Sequence, residues 1–162
     1  MKKVGLIMGS DSDLPIVEKA VSVLKEFGIE YEAHVYSAHR TPEKVEDFTE
    51  TASEKGFGVI IAFAGMAAHL AGAVAARTVL PVIGVPCKSA ALDGMDALLS
   101  TVQMPTGVPV ATVAINGGAN AAILAAEILA VYDSALYEKL KAKRKSDAEK
   151  VINKDAELLG KL

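Results

Sequence analysis

Two stretches decide the fold: Lys3-Val4-Gly5-Leu6-Ile7-Met8, running into Gly9-Ser10-Asp11-Ser12-Asp13, and Gly58-Val59-Ile60-Ile61-Ala62-Phe63, running into Ala64-Gly65. Each is a short apolar run that ends at glycine and small polar or aliphatic residues. Continuous rather than alternating apolar character marks a strand buried on both faces, which is the habit of parallel sheets. Between them, Leu14, Val17, Val21, Leu24 and Phe27 repeat at helical spacing, and Gly28 stops that helix. Tyr31 to Tyr36 reads as a second strand. Thr41-Pro42-Glu43-Lys44 opens a helix to about Lys55, with Thr41 as cap and Pro42 at the first position, where a missing N–H costs nothing.

Outward from there the alternation continues. A helix is expected over Met66 to Arg77, a strand over Val79 to Val85, a helix over Leu92 to Gln103, a strand over Val108 to Ile115, and a helix over Gly118 to Tyr132. Ser134 to about Leu159 forms a last, highly charged helix. Five apolar strands alternating with helices predict an α/β, three-layer architecture with a five-stranded parallel sheet, and right-handed crossovers leave few topologies. The flavodoxin-like order 2-1-3-4-5 is the expectation, with 1–133 as the core and 134–162 as a C-terminal helical extension packing on a neighbouring subunit.

Composition bounds the function. The 162 residues carry 17 Lys and Arg against 20 Asp and Glu, a net charge of −3, so no global positive field is available for a nucleic-acid backbone. Cys87 is the single cysteine, which excludes an internal disulfide and a paired-cysteine zinc site. Met1-Lys2-Lys3 is basic, but Val4 to Met8 is too short for a secretory signal. No charge lies between Lys55 and Arg77 or between Asp96 and Glu127, yet glycines, prolines and asparagines interrupt both stretches, so they read as buried strand-and-helix pairs rather than membrane spans. The alanine-rich helices suit close subunit contact, and a high-order oligomer is expected.

In a sheet of this order, ligands sit beyond the carboxyl ends of the strands, at the switch point between strands one and three. That rule names three loops. Gly9-Ser10-Asp11-Ser12-Asp13 supplies a tight turn, hydroxyls and a helix N-terminus for phosphate or sugar, although Ser12 or Asp13 would equally serve as a helix cap. Ser37-Ala38-His39-Arg40-Thr41-Pro42 sets side by side a residue type that moves protons near neutrality and one that binds phosphate bidentately. Ala64-Gly65-Met66-Ala67-Ala68-His69-Leu70 offers close backbone approach at Gly65 and places His69 one turn into a helix, where a hydrogen-bonded structural role is also open. Elsewhere, Cys87 reads as a small buried hydrophobe, His34 as structural, and Asp93 as a helix cap rather than a metal ligand beside Asp96. Gln103 to Gly107 reads as a turn.

These three loops resemble the N5-carboxyaminoimidazole ribonucleotide mutase family of purine biosynthesis. The Ser37 to Pro42 stretch is distinctive, and Gly84-Val85-Pro86, Ser100 to Pro105, Gly107 to Thr112 and Asn120-Ala121-Ala122 extend the likeness across about Val4 to Asp133. The resemblance implies a cytoplasmic homo-octamer that uses no metal, ATP or organic cofactor and binds neither nucleic acid nor membrane. It implies a shift of a carboxyl group from an exocyclic nitrogen to C4 of an aminoimidazole ribonucleotide. His39 would be the general acid and base, Arg40 and Ser10 would bind the phosphate region, and Asp13 would hold the ribose. Ser12, Ser37, Gly65 and His69 would line the site. Phe63 and Met66 stand where many members carry glycine, Ala71 where many carry proline, and Ile115 to Asn120 is shorter than in some members. The related direct carboxylase typically has lysine where this chain has Arg40 and lacks Ala67-Ala68-His69-Leu70, so Arg40 and His69 favour the mutase. A flavodoxin-like binding module is opposed by the absence of tryptophan, and a receiver domain by Ala64-Gly65 where a phospho-accepting aspartate belongs.

Overall fold

The structure, a computed structural model, describes residues 2–161. Five strands, β1 (Lys3–Met8), β2 (Tyr31–Val35), β3 (Phe57–Gly65), β4 (Val82–Cys87) and β5 (Ala111–Thr112), pair in parallel in the order 2-1-3-4-5. Helices α1 (Leu14–Phe27) and α5 (Gly118–Ala130) cover one face, and α2 (Pro42–Thr51), α3 (Leu70–Ala75) and α4 (Met95–Val102) lie on the other.

Strand parity sorts the core. Val4, Leu6 and Met8, then Val59, Ile61 and Phe63, then Ile83, Val85 and Cys87 all face α1 and α5. Ile7, Ile60, Ala62 and Val82 face α2 and α3. Both faces are apolar because both are covered, which is why the strands read as unbroken runs. The alanines of α5 let it lie against α1 so closely that a Cβ on Gly118 would stand 2.2 Å from the Ile16 carbonyl oxygen. Gly28 ends α1 in the left-handed conformation (φ 72°), with its N–H and that of Ile29 both reaching the Leu24 carbonyl.

Several boundaries differ from the expectation, each for a local reason. The fourth strand begins at Val82 and runs on to Cys87 rather than spanning 79–85. Val79 is fully exposed, and the pairing starts opposite Ile60. Pro86 is tolerated inside the strand because β5 is only two residues long and does not reach it; the Pro86 carbonyl is taken by the Asn116 N–H at 2.8 Å. β5 itself is cut short of the expected 108–115 by Pro109, which cannot donate to a ladder. The third helix is Leu70–Ala75, not 66–77, because Met66 adopts φ 56° and blocks helix initiation. The fourth starts at Met95 instead of Leu92, since Asp93 and Gly94 both have positive φ.

The C-terminal helix α6 (Ser134–Leu159) is capped by the Asp133 carboxylate, which accepts from the Leu136 N–H at 3.0 Å. Leu136 and Leu140 join the core under α5, Arg144 pairs with Glu127 of α5, and the residues from Lys145 to Lys161 are exposed. Among the described residues no helix is long and apolar enough to cross a membrane.

Candidate active site

Three loops converge at the carboxyl edge of the sheet, where β1 and β3 lead their crossovers to opposite faces. The first leaves β1 at Gly9, whose N–H donates to the Phe63 carbonyl at 3.0 Å and ties the loop to β3. A 3-10 turn follows over Asp11–Asp13, with the Ser10 hydroxyl accepting from the Ser12 N–H at 3.3 Å. The cap of this turn is thus Ser10; Ser12 and Asp13 make no side-chain cap, which leaves them for other work.

The second loop is held from within. The Ser37 hydroxyl accepts from the backbone N–H groups of His39 (3.3 Å) and Arg40 (3.2 Å), and Thr41 Oγ1 accepts from the Ser37 N–H at 2.9 Å. Thr41 therefore clasps the loop instead of capping α2 through its side chain. The result projects His39 and Arg40 outward, both exposed. Arg40 Nη2 donates to the Gly9 carbonyl at 3.0 Å, joining the second loop to the first.

The third loop turns sharply after β3 through the left-handed Met66, then through tight Ala68-to-Met66 and His69-to-Ala67 backbone bonds. His69 consequently sits at the N-terminal boundary of α3, not one turn inside it. There its Nδ1 lies 2.7 Å from His39 Nε2, with the two rings edge to face. One proton occupies that contact, so the pair is a ready site for proton donation and uptake. Of the two residues that stand where many members carry glycine, Phe63 is wholly buried in the α1/α5 core and Met66 is 64% exposed.

Beneath the loops lies the Asp13 carboxyl, only 8% exposed. Burial pushes its pKa above the ordinary carboxylate value. Cys87 is buried in the core at the end of β4, as expected of a small hydrophobe, and its thiol donates to the Val85 carbonyl at 3.6 Å. Sequence reasoning missed the Gly9 carbonyl, since no side-chain pattern announces a backbone acceptor.

The remaining suggestions resolve otherwise. Asp93 is no helix cap; it pairs with Lys88 at 2.8 Å, and Gly94 precedes α4. Asp96 Oδ2 accepts from the Ser89 hydroxyl at 3.4 Å. Among the described residues, no three of His, Cys, Asp and Glu gather as a metal site. His34 stacks on Tyr36 at 4.7 Å and meets Phe48 edge on, a packing role. The Gln103 to Gly107 turn brings Met104 against α3 at Gly72. A groove of about 710 Å³ between the end of α5 and the start of α6, lined by Tyr132, Tyr137 and Arg144, lies away from these loops.

Residues 3–150 match the model of the family described as AIR carboxylase. An N5-carboxyaminoimidazole ribonucleotide mutase of Pyrococcus abyssi is 59% identical over 89% of this chain and 83% of its own. A phosphoribosylaminoimidazole carboxylase of Saccharomyces cerevisiae is 54% identical over 96% of this chain, which corresponds to 27% of that longer protein. The crystal structure of Treponema denticola PurE superposes with a TM-score of 0.86 at 35% identity, covering 96% of this chain and 97% of that one.

Proposed function

This chain belongs to the AIR carboxylase family, and we propose from that premise that it is an N5-carboxyaminoimidazole ribonucleotide mutase of purine biosynthesis. The observation that carries the site reading is the His39–His69 contact of 2.7 Å, beside the Arg40 and Ser10 loop pair. The reaction needs a proton delivered to one atom and taken from another. In the first half, the exocyclic nitrogen takes a proton, and the N–C bonding pair stays on that nitrogen as carbon dioxide leaves. In the second, the ring electron pair at C4 attacks the retained carbon dioxide, and the C4 proton is removed. His39 is the proton carrier, with His69 as the neighbour that shares its proton.

The rest of the constellation positions the nucleotide. Arg40, already anchored to Gly9, turns its remaining donors to the 5′-phosphate, and Ser10 adds a hydroxyl. Asp13 accepts from ribose hydroxyls. Ser12, Ser37 and Gly65 line the cleft, Gly65 by letting the ligand approach bare backbone. Holding carbon dioxide between the half-reactions demands a closed space, and the loops of one chain are open to solvent.

Closure by neighbouring subunits fits the surface. Leu92, Met95, Leu99 and Val102 form an exposed apolar row at α4, and Val151, Ile152, Leu158 and Leu159 are exposed on outer α6. Such patches on a soluble enzyme mark contact surfaces. We place the chain in a cytoplasmic homo-octamer with the outer part of α6 packed on a neighbour. Light scattering checks this; a monomer refutes it.

The deciding assay supplies N5-carboxyaminoimidazole ribonucleotide without ATP, metal or bicarbonate, beside aminoimidazole ribonucleotide with modest bicarbonate. Rapid C4-carboxylated product in the first tube alone is the expected result. Product in the second alone identifies a direct carboxylase and overturns the reading.

A further inference from the structure

The loop that carries His39 and Arg40 has little packing to hold it. His39, Arg40 and Thr41 are exposed, while Tyr36 and Ala38 rest against the α2/α3 core. The root of the loop is fixed, because the Tyr36 N–H donates to the Met8 carbonyl at 2.9 Å. Beyond Tyr36, two hydroxyls act in series. Thr41 Oγ1 accepts from the Ser37 N–H at 2.9 Å and donates to the Ser37 carbonyl at 3.2 Å. The Ser37 hydroxyl accepts in turn from the His39 and Arg40 N–H groups at 3.3 and 3.2 Å.

A threonine before a helix ordinarily spends its side-chain oxygen on the N–H groups of the first turn. Thr41 does not. Its backbone carbonyl takes the N–H groups of Lys44 (3.1 Å) and Val45 (3.4 Å), so α2 begins without help from the hydroxyl. Pro42 disfavours the helical region for the residue before it, and Thr41 stays outside that region at φ −138° and ψ 54°. The Thr41 N–H also donates to the Ser37 carbonyl at 2.9 Å, which keeps the outline of the turn. What the hydroxyl adds is a partner for the Ser37 N–H. The two functional residues are not held alike. Arg40 has a second tether, its Nη2 on the Gly9 carbonyl at 3.0 Å. The His39 ring has its 2.7 Å contact with His69, which a shift of about 1 Å abolishes.

We propose that Thr41 is a positioning residue for proton transfer: its hydroxyl fixes Ser37, and Ser37 sets the direction from which His39 meets His69. This rests on the reading of His39 as the proton carrier.

Thr41→Val keeps the β-branched shape and removes the hydroxyl. With one hydrogen bond lost, kcat should fall about three- to tenfold. KM should stay within about twofold, because the Gly9 tether still holds Arg40. Thr41→Ser keeps the hydroxyl and should restore kcat. A second readout separates positioning from a mere loss of stability. The chain has three histidines, so labelling histidine with heavy nitrogen leaves three imidazoles to follow by NMR. Two of them should show scalar coupling across the N–H···N contact. Thr41→Val should lose that coupling with an unchanged circular dichroism spectrum, and Thr41→Ser should regain it. Unchanged kcat or unchanged coupling in Thr41→Val overturns the proposal, as does a loss that Thr41→Ser shares. Should Thr41→Val not fold, Thr41→Ala takes its place; failure of both to fold makes the hydroxyl a stability element and overturns the proposal. Should the wild-type protein turn over no ribonucleotide, the functional reading fails, while the coupling still decides for or against the clasp.

Discussion

Gly118→Ala tests the tightest of the glycine positions among the described residues and its link to the site. The added Cβ would lie 2.2 Å from the Ile16 carbonyl oxygen and 3.1 Å from the Ile16 carbonyl carbon and Cγ2. Contact between carbon and oxygen needs about 3.2 Å or more, so α5 and α1 must part by about 1 Å; a helical carbonyl cannot swing aside as a side-chain tip can. Alanine at the first position of α5 gains less than about 1 kcal/mol in helix propensity. Overpacking of a tight interface costs about 1–3 kcal/mol, so a net loss of about 1–2 kcal/mol is expected. For a domain of this size that lowers Tm by roughly 2–8 °C, read at one fixed protein concentration. Ile16 lies one turn from Asp13, so the displaced α1 carries Asp13 with it, and KM for the ribonucleotide should rise with kcat less affected. A variant as stable as the wild type, with unchanged KM, would show that the two helices have slack there and that the packing argument is wrong.

Other expectations follow from the same geometry. His39→Asn should lower kcat by about 10²- to 10⁴-fold, with an unchanged circular dichroism spectrum and unchanged nucleotide binding by calorimetry; retained turnover rejects His39 as the proton carrier. Arg40→Lys keeps the charge but cannot both hold the Gly9 carbonyl and grip phosphate bidentately, so its KM should rise at least severalfold; an unchanged KM rejects the phosphate assignment. Asp13 has a raised carboxyl pKa in the folded chain, so its contribution to stability is greatest below its ordinary value of 3.8 and is lost as pH rises through the folded value. Asp13→Asn should therefore be more stable than wild type to urea near pH 7, and that advantage should vanish as pH falls below about 3.8; an advantage independent of pH would point to packing instead.

The sheet and its order were legible because burial on both faces writes itself into the strands: Lys3 to Met8 and Gly58 to Phe63 admit few other readings. The C-terminal edge was legible as a region because the topology rule points there. The helix starts there were not, since Met66 and Asp93 adopt positive φ without being glycine, and nothing in their chemistry announces it. His69 illustrates the consequence. Helical spacing alone puts it inside α3 as one more core residue, whereas the left-handed turn at Met66 delays the helix and delivers its ring to His39. Thr41 failed as a simple side-chain cap for a similar reason: its hydroxyl had a better use in fixing Ser37. Cys87 was read as a small buried hydrophobe, and its place in the α1/α5 core agrees with that.

The non-glycine residues with positive φ among those described are Met66, Asp93 and Asn116. They stand after β3, before α4 and before α5, in the loops beyond the carboxyl ends of β3, β4 and β5. The buried Asp13 charge lies at that edge as well. A left-handed conformation costs a non-glycine residue about 1–2 kcal/mol, and a carboxylate taken from water costs more unless hydrogen-bonded. Both costs recur at one edge of the sheet while the covered faces hold regular apolar packing, a distribution that a fold selected for stability alone has no reason to adopt. It follows if the edge must present a proton-sharing histidine pair, an outward arginine and an oriented carboxylate within one cleft: the strands and their helices supply the rigidity against which those loops are held in conformations they would not choose by themselves.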